Sequence, residues 1–262
     1  MEAKLSTLEI AVDGDRLGAT MLMPATRMPG ILFVHGWGGS QQQAMRRARK
    51  AAGLSCVCLT FDLRGHERHA RMRETVTRPQ NLADVLAAYD LLAGRPEVDP
   101  DAVGVVGFSY GAYLSALLTA QRPVQWLALR SPALYPDEPW DAPKAALNRD
   151  PGLMAFRNAP LTPEDNRALR ACAAFRGDAL VVQAEHDAIV PPRTHRNYEA
   201  ALAGAHSLTT QILAGADHAL STPAQQGMWS RVLMKWLGAL VRGEREQLAR
   251  EAVKERRHAI PG

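Results

Sequence analysis

A serine between glycines is the most chemically specific feature of the sequence: Gly107-Phe108-Ser109-Tyr110-Gly111 fits the pattern G-x-S-x-G. Ser109 directly follows the apolar run 103–108, and the pentapeptide leads into a stretch of small residues at 111–120. A serine on so tight a strand-to-helix turn has a strained backbone, and larger neighbours than glycine would clash with the strand and the helix. The helix N-terminus would offer free N–H groups to a negatively charged oxygen. The pattern therefore predicts a nucleophilic Ser109, against the alternative of an ordinary tight turn.

A serine hydroxyl needs a base to remove its proton, and histidine is the usual base because it titrates near neutral pH. The sequence contains eight histidines. His218 follows the apolar run 207–212 after a glycine-containing loop, which places it near the carboxyl end of a predicted strand. Ligands and chemistry collect at that edge of open α/β sheets. We therefore predict that His218 is the base, whereas His35 is expected to shape a glycine-rich loop.

A carboxylate normally fixes the tautomer of such a histidine. The apolar run 179–184 leads directly into Glu185, and Asp187 follows two residues later. Both side chains could reach His218, while Asp217 is adjacent to it and would point elsewhere. The residues alone therefore leave Glu185 and Asp187 as competitors for the role of the acid.

Strand-length apolar runs alternate with helix-like segments along the chain, which indicates βαβ units and a parallel sheet covered on both faces. The predicted strands are 5–12, 19–23, 31–34, 55–61, 103–108, 126–129, 179–184 and 207–212, and the predicted helices are 41–52, 81–92, 111–120, 194–202 and 223–240. The first two strands flank Asp13-Gly14-Asp15, so they are expected to form an antiparallel hairpin at one edge. Gly53 is expected to end the first helix in a left-handed conformation.

The segment 131–177 interrupts this alternation, because it has no strand-like run and holds seven of the 17 prolines. Thr162 is expected to cap a helix there, with Pro163 in its first turn. The predicted apolar face of that helix consists of Leu161, Leu169, Cys172 and Phe175. Long insertions in compact domains are often functional. We leave two interpretations open, a structural connection and a small lid over the active site.

Five ordered motifs together resemble those of the α/β-hydrolases, and the resemblance covers about 17–240. In chain order they are His35-Gly36-Trp37-Gly38-Gly39, Asp62-Leu63-Arg64-Gly65-His66, Gly107–Gly111, Asp187-x-x-Val190-Pro191 and Asp217-His218. One departure is Glu67, where relatives often have a second glycine. It concerns a loop and not the reactive residues.

The resemblance implies a role for each site residue. The family order of serine, acid and histidine corresponds here to Ser109, Asp187 and His218, because the family acid precedes an x-x-Val-Pro run. In this family one oxyanion-binding N–H comes from the residue after the nucleophile, which is Tyr110. The matching position for the second N–H is Trp37, whose side chain would line the acyl pocket or serve packing alone. No metal or organic cofactor is implied.

The fold class implied is α/β, with the α/β-hydrolase fold: a mostly parallel sheet with helices on both faces and an N-terminal antiparallel hairpin. The predicted organisation is a single domain over 1–241, with a lid-like insertion at about 131–177. The remainder, 242–262, alternates arginine, glutamate and lysine and is expected to form a charged helical tail.

The function that the resemblance favours is a serine hydrolase that cleaves carboxylic esters through an acyl-enzyme. Dienelactone-hydrolase-like and acyl-aminopeptidase-like enzymes with small lids are the most similar members. An acyl thioesterase or a small-peptide hydrolase with the same triad is the alternative. A non-catalytic binding protein with this fold is the alternative of another class, and it is disfavoured because such proteins usually lose a triad member or the elbow glycines.

Composition excludes several other classes. With 47% hydrophobic and 22% charged residues the chain is ordinary for a globular protein, and three cysteines are too few for a disulfide framework. The first 15 residues have no apolar signal region. We therefore expect a cytoplasmic protein without a membrane span. The sequence allows a homodimer without deciding the oligomeric state.

A net charge of +4 is weak for this length, and the basic residues scatter without interleaved aromatics, so no nucleic-acid partner is expected. The expected partner is a small-molecule ester or thioester. One basic cluster does stand out on a predicted helix: Arg46, Arg47, Arg49 and Lys50. We interpret it as a solvated helix face, with an anion site as the alternative.

Overall fold

A mixed eight-stranded sheet forms the centre of the computed structural model, which describes residues 4–23 and 28–258. The strands are β1 (Lys4–Val12), β2 (Asp15–Met23), β3 (Met28–Val34), β4 (Val57–Phe61), β5 (Val98–Phe108), β6 (Trp126–Arg130), β7 (Asp178–His186) and β8 (Ser207–Asp217). They lie in the order β1-β2-β4-β3-β5-β6-β7-β8. From β4 to β8 neighbouring strands are parallel, whereas β1 pairs with β2 and β2 with β4 in the antiparallel sense. The predicted mostly parallel sheet with an N-terminal hairpin is confirmed.

Helices cover both faces of this sheet. The α-helices of the described residues are α1 (Gln42–Gly53), α2 (Arg78–Ala93), α3 (Tyr110–Leu118), α4 (Lys144–Arg149), α5 (Leu153–Asn158), α6 (Arg167–Ala174), α7 (Pro192–Ala201) and α8 (Pro223–His258). Two short 3₁₀ helices span Glu67–Met72 and Leu202–Gly204. Buried side chains of α1 and α8 pack on one face, and those of α2, α3, α6 and α7 pack on the other.

The central strand β5 explains why its sequence is apolar without alternation. Val103 and Val105 belong to the core on the α3 side, while Val106 belongs to the core on the α1 side. A strand buried on both faces gains from apolar residues at every position, as parallel strands under two helix layers do. This burial fixes the end of β5, and therefore the start of the turn that carries Ser109.

The end of α1 differs from the prediction. Gly53 is part of the helix, and the residue with left-handed backbone is Ser55, with φ 68°. The N–H groups of Leu54 and Ser55 donate to the carbonyl oxygens of Ala51 and Ala52, so the helix ends in a tighter final turn. Glycine preference at the end of a helix is a local signal, and here the turn into β4 places the left-handed residue two positions after Gly53.

The insertion 131–177 contains three short helices, and the helix predicted to begin at Thr162 begins later. The N–H and hydroxyl of Thr162 both donate to the Asp165 carboxylate at 2.8 Å, which closes a separate turn. Helix α6 then starts at Arg167, with the side chain of Asn166 accepting the N–H groups of Ala168 and Leu169. The cap is thus Asn166, because Thr162 is already engaged with Asp165.

Helix α8 continues through the first part of the predicted charged tail, 242–262, to His258, and 259–262 lie outside the described residues. Among the helices of the described part of the chain, none is long and apolar enough to cross a membrane.

Candidate active site

Ser109 sits at the turn between β5 and α3, with a backbone φ of 53°. Positive φ is rare for a residue with a side chain and marks stored strain. The flanking glycines make the turn sterically feasible. A Cβ on Gly107 would lie 2.5 Å from the Cα of Ala112, and a Cβ on Gly111 would strike the carbonyl oxygens of Val34 and His35. The glycines are therefore required by close backbone approach, as the G-x-S-x-G pattern predicts.

The structure brings Ser109, His218 and Asp187 into one hydrogen-bonded series. The Nε2 atom of His218 lies 3.0 Å from the Ser109 Oγ, and its Nδ1 lies 2.8 Å from both carboxylate oxygens of Asp187. A carboxylate can only accept, so Nδ1 carries the proton and donates it to Asp187. Nε2 is then left to accept the serine hydroxyl proton. Asp187 and His218 follow the carboxyl ends of β7 and β8, at the same edge of the sheet as Ser109.

The carboxylate of Asp187 is held ionised by its surroundings. Burial alone would raise its pKa, but the hydrogen bond and charge of His218 and the N–H of Val190 lower the pKa below its ordinary value. The N–H groups of Ile189 and Val190 donate to Oδ1 at 3.0 Å and 2.8 Å. Glu185, the competitor from the sequence, is exposed and accepts the N–H of Gly215 at 2.7 Å. Of the two carboxylates, only Asp187 contacts His218 among the described residues.

Trp37 and Tyr110 lie side by side next to Ser109, their rings edge to face at 5.8 Å. Tyr110 is the first residue of α3, where backbone N–H groups have no partner in the helix. Within the residues that the structure describes, neither Trp37 nor Tyr110 donates its backbone N–H to an acceptor. Two free N–H groups beside a serine Oγ have the chemistry required to bind an oxyanion.

Two histidines shape the loop that carries Trp37. His35 accepts the N–H of Leu63 at Nε2 and contacts the Gly36 carbonyl at 2.8 Å through Nδ1, which confirms its expected structural role. His66 accepts the N–H of Gly38 at 2.9 Å, so it fixes the same loop from the other side. Burial lowers the pKa of each to about 4, so both are neutral at pH 7 and can accept. The role of His66 could not be derived from its arginine-rich sequence surroundings.

Arg130 is a second residue that sequence reasoning missed. It is the last residue of β6 and is buried, and its Nη1 donates to the carbonyl of His218 at 2.8 Å. This bond fixes the backbone of the residue predicted as the base. The sequence feature that could have indicated this role is the arginine that directly follows the apolar run 126–129.

A cavity of about 610 Å³ opens beside Ser109, between the sheet and helices α1 and α8. Ser109, His218 and Trp37 lie in its wall, so Trp37 both borders the cavity and packs on His66, with ring centroids 4.9 Å apart. No residue of the insertion 131–177 lines it. The expected apolar face of α6 is elsewhere, because Leu169 and Cys172 are buried in the core on the α3 side. That face therefore packs on the fold and does not roof this cavity.

Near the site, the buried side chain of His195 is expected to make the stability of the fold depend on pH. Both ring nitrogens of His195 are buried and have no hydrogen-bond partner among the residues that the structure describes. Burial lowers its pKa from 6.5 to about 4, while the charges of Asp187 and His218 act in opposite directions. In the unfolded chain His195 is protonated below about pH 6.5, whereas in the folded protein it stays neutral down to about pH 4. The free energy of unfolding therefore falls as the pH falls from 6.5 to 4. At pH 5 the shifted pKa of His195 lowers the free energy of unfolding by about 2 kcal/mol.

His195→Leu should therefore raise the free energy of unfolding more at pH 5 than at pH 7. The measurement is urea denaturation of the wild-type and variant proteins at both pH values. His186→Gln, at an exposed position, should leave the pH dependence as in the wild type. Equal effects of His195→Leu at the two pH values would contradict the prediction.

Comparison with known proteins identifies the family. Residues 31–226 match the model of the alpha/beta hydrolase family, and the chain belongs to that family. An uncharacterised protein of Mycobacterium tuberculosis strain H37Rv is 34% identical over 126 residues, 46% of this chain and 42% of that protein. A candidate esterase of Nocardia uniformis subsp. tsuyamanensis, NocK, is 34% identical over 141 residues, 48% of this chain and 40% of NocK. The chain thus spans about two fifths of the length of these curated relatives.

Solved structures share the fold. A dienelactone hydrolase from Anabaena variabilis superposes with a TM-score of 0.63 at 17% identity, covering 90% of this chain and 97% of that one. At this identity the likeness shows that the fold is shared.

Proposed function

We propose that the protein is a serine hydrolase that cleaves carboxylic esters through an acyl-enzyme intermediate. The observation that carries the proposal is the continuous series of hydrogen bonds from Asp187 through His218 to Ser109. This arrangement activates a serine hydroxyl, which is otherwise a weak nucleophile.

In the proposed reaction, the Ser109 Oγ attacks the ester carbonyl carbon while its proton passes to Nε2 of His218. The negative charge that develops on the carbonyl oxygen is stabilised by the N–H groups of Trp37 and Tyr110, each contributing about 3 kcal/mol. Collapse of the tetrahedral intermediate breaks the bond to the alcohol oxygen, which receives the proton from His218. Water then attacks the acyl-enzyme by the same steps, and Asp187 stabilises the imidazolium in each half of the reaction.

The test is a panel of substrates that share one short acyl group and differ in the leaving group: an ester, a thioester and an anilide. We expect turnover of the ester, with an acyl adduct on the protein detected by intact-mass analysis after rapid acid quench. Faster turnover of the thioester or anilide would instead favour the alternative reaction classes with the same residues. Tight binding of all three without turnover would contradict the enzymatic proposal and favour a binding protein.

A further inference from the structure

The basic cluster of α1 divides into two parts in the structure. Arg49 and Lys50 are exposed, as a solvated helix face requires. Arg46 and Arg47 line the cavity beside Ser109. Arg46 is exposed, whereas Arg47 is half-buried and donates from Nη2 to the carbonyl of Gln43. The half-buried Arg47 thus brings a positive charge to the cavity that contains Ser109 and His218, which the spacing of the residues alone did not reveal.

Arg130 reaches the same cavity from the sheet. Its guanidinium lies 3.5 Å from the centre of the Phe108 ring, and that ring lies 5.1 Å from the ring of His218. Within the described residues, Nη1 donates to the carbonyl of His218 and the other guanidinium N–H groups have no hydrogen-bond partner, so they can bind a ligand in the cavity. The positive charge of Arg130 is therefore held next to His218, the proposed base.

These arginines have no carboxylate partner in the cavity wall. The residues that line the cavity include no aspartate or glutamate. In the described part of the chain, Arg46, Arg47 and Arg130 form no ion pair. Asp187 and Asp217 lie outside the cavity wall. Their charges favour the charged form of Arg130, while Asp187 is hydrogen-bonded to His218 and Asp217 to the N–H of Ser221.

The arginines also affect one another. Burial and, to a smaller extent, the charge of Arg47 lower the pKa of Arg130 to about 9, against the charges of Asp187 and Asp217, which raise it. Burial likewise lowers the pKa of Arg47 to about 10, with the charge of Arg46 adding to the effect. Like charges gathered in a partly desolvated cavity are unfavourable unless an anion joins them, and such clefts concentrate anionic ligands.

We propose that the ester substrate carries a carboxylate, which Arg47 and Arg130 bind inside the cavity while Ser109 attacks the ester carbonyl. This inference rests on the proposed hydrolase function and specifies its substrate class. Guanidinium groups bind carboxylates through paired, charge-assisted hydrogen bonds, so the arginines would orient the substrate as well as attract it. The carboxylate belongs to the acyl part or to the alcohol part of the ester, and the experiment separates the two.

The test compares two substrate pairs that differ only in charge. Monoethyl glutarate and its neutral amide, ethyl glutaramate, place the charge in the acyl part. The butanoyl esters of hydroxypropanoate and of hydroxypropanamide place it in the alcohol part. In one of the pairs, we expect kcat/KM for the anionic ester to exceed that for the neutral one by roughly tenfold or more, as a charge-assisted hydrogen bond provides. Equal values in both pairs would overturn the proposal.

Arginine variants test which side chain causes the preference for the anionic ester. Arg47→Gln should reduce the anionic preference by roughly tenfold, and Arg47→Lys should retain more of it than the glutamine variant. Arg49→Gln, on the exposed side of the same helix, is the control and should keep the wild-type ratio. An equal ratio in the Arg47→Gln and Arg49→Gln proteins would overturn the proposed site.

A binding measurement separates this inference from the proposed function. If no ester of either pair is hydrolysed, the hydrolase proposal fails, and calorimetry with glutarate still tests the anion site. Glutarate binding by the wild type that weakens in Arg47→Gln and not in Arg49→Gln supports the site. Absence of glutarate binding overturns it.

Discussion

Replacing Ser109 by alanine is expected to abolish ester hydrolysis, with a fall in kcat on the order of 10⁶-fold by analogy with other serine hydrolases. The expectation follows from the position of the Oγ, 3.0 Å from Nε2 of His218, on a strained turn beside two free N–H groups. Without the hydroxyl no acyl-enzyme can form, and only the oxyanion-binding groups and substrate binding would remain. The measurement is the initial rate on the best ester of the panel.

The same variant should lose covalent labelling by a fluorophosphonate probe, which reacts with activated serines. Ser230 provides a matched control, because it lines the same cavity but its hydroxyl donates to the carbonyl of Gln226. Ser230→Ala should be labelled as the wild type is. If intact-mass and peptide analysis placed the adduct on a serine other than Ser109, the assignment of the nucleophile would be wrong.

Much of the scaffold around the site could be predicted because its signals are local. The apolar run of β5 and the glycines at 107 and 111 together define a buried strand, a tight turn and a helix start. The hairpin of β1 and β2 was equally accessible, since Asp13 and Gly14 both have positive φ in the turn. In each case a short run of residue types indicates the backbone geometry, even where distant parts of the chain, such as the Val34 and His35 carbonyls beside Gly111, supply the packing.

Other features depend on contacts that the sequence does not display. The acid could not be chosen from the residues alone, because Glu185 and Asp187 both follow the predicted strand 179–184. The pairing of β7 with β8 shifts register between Ala184 and His186, and such irregularities redirect side chains. Likewise, tertiary packing separates Arg47, in the cavity wall, from Arg49, in solvent.

The helix of the insertion shows the same limit. Leu169, Cys172 and Phe175 have the spacing of an apolar helix face, but spacing cannot tell what that face covers. All three are buried in the core on the α3 side, so the periodicity reflects packing of the insertion on the fold. The cap moved from Thr162 to Asn166 for a related reason, because Asp165 competes for the threonine groups.

Asp187→Asn is expected to lower kcat by about 10⁴-fold, as the corresponding change does in other triads. An amide can donate to Nδ1 of His218, which would move the imidazole proton to Nε2 and prevent that atom from accepting the Ser109 proton. The substitution also removes the charge that stabilises the imidazolium. Since its surroundings lower the pKa of Asp187, this charge is present throughout the neutral range in the wild type.

Glu185→Gln is the matched control, because Glu185 lies near the end of β7, two residues before Asp187, and accepts only the N–H of Gly215 among the described residues. It should retain kcat within a few fold, since an amide oxygen can accept the same hydrogen bond. Both variants should fold, which thermal unfolding checks before the kinetics are compared. A severe loss of kcat in Glu185→Gln with near-normal turnover in Asp187→Asn would show that the acid has been assigned to the wrong carboxylate. A severe loss in Asp187→Asn alone, with kcat/KM falling in parallel, would instead mean that the carboxylate acts in the transition state and not in substrate binding.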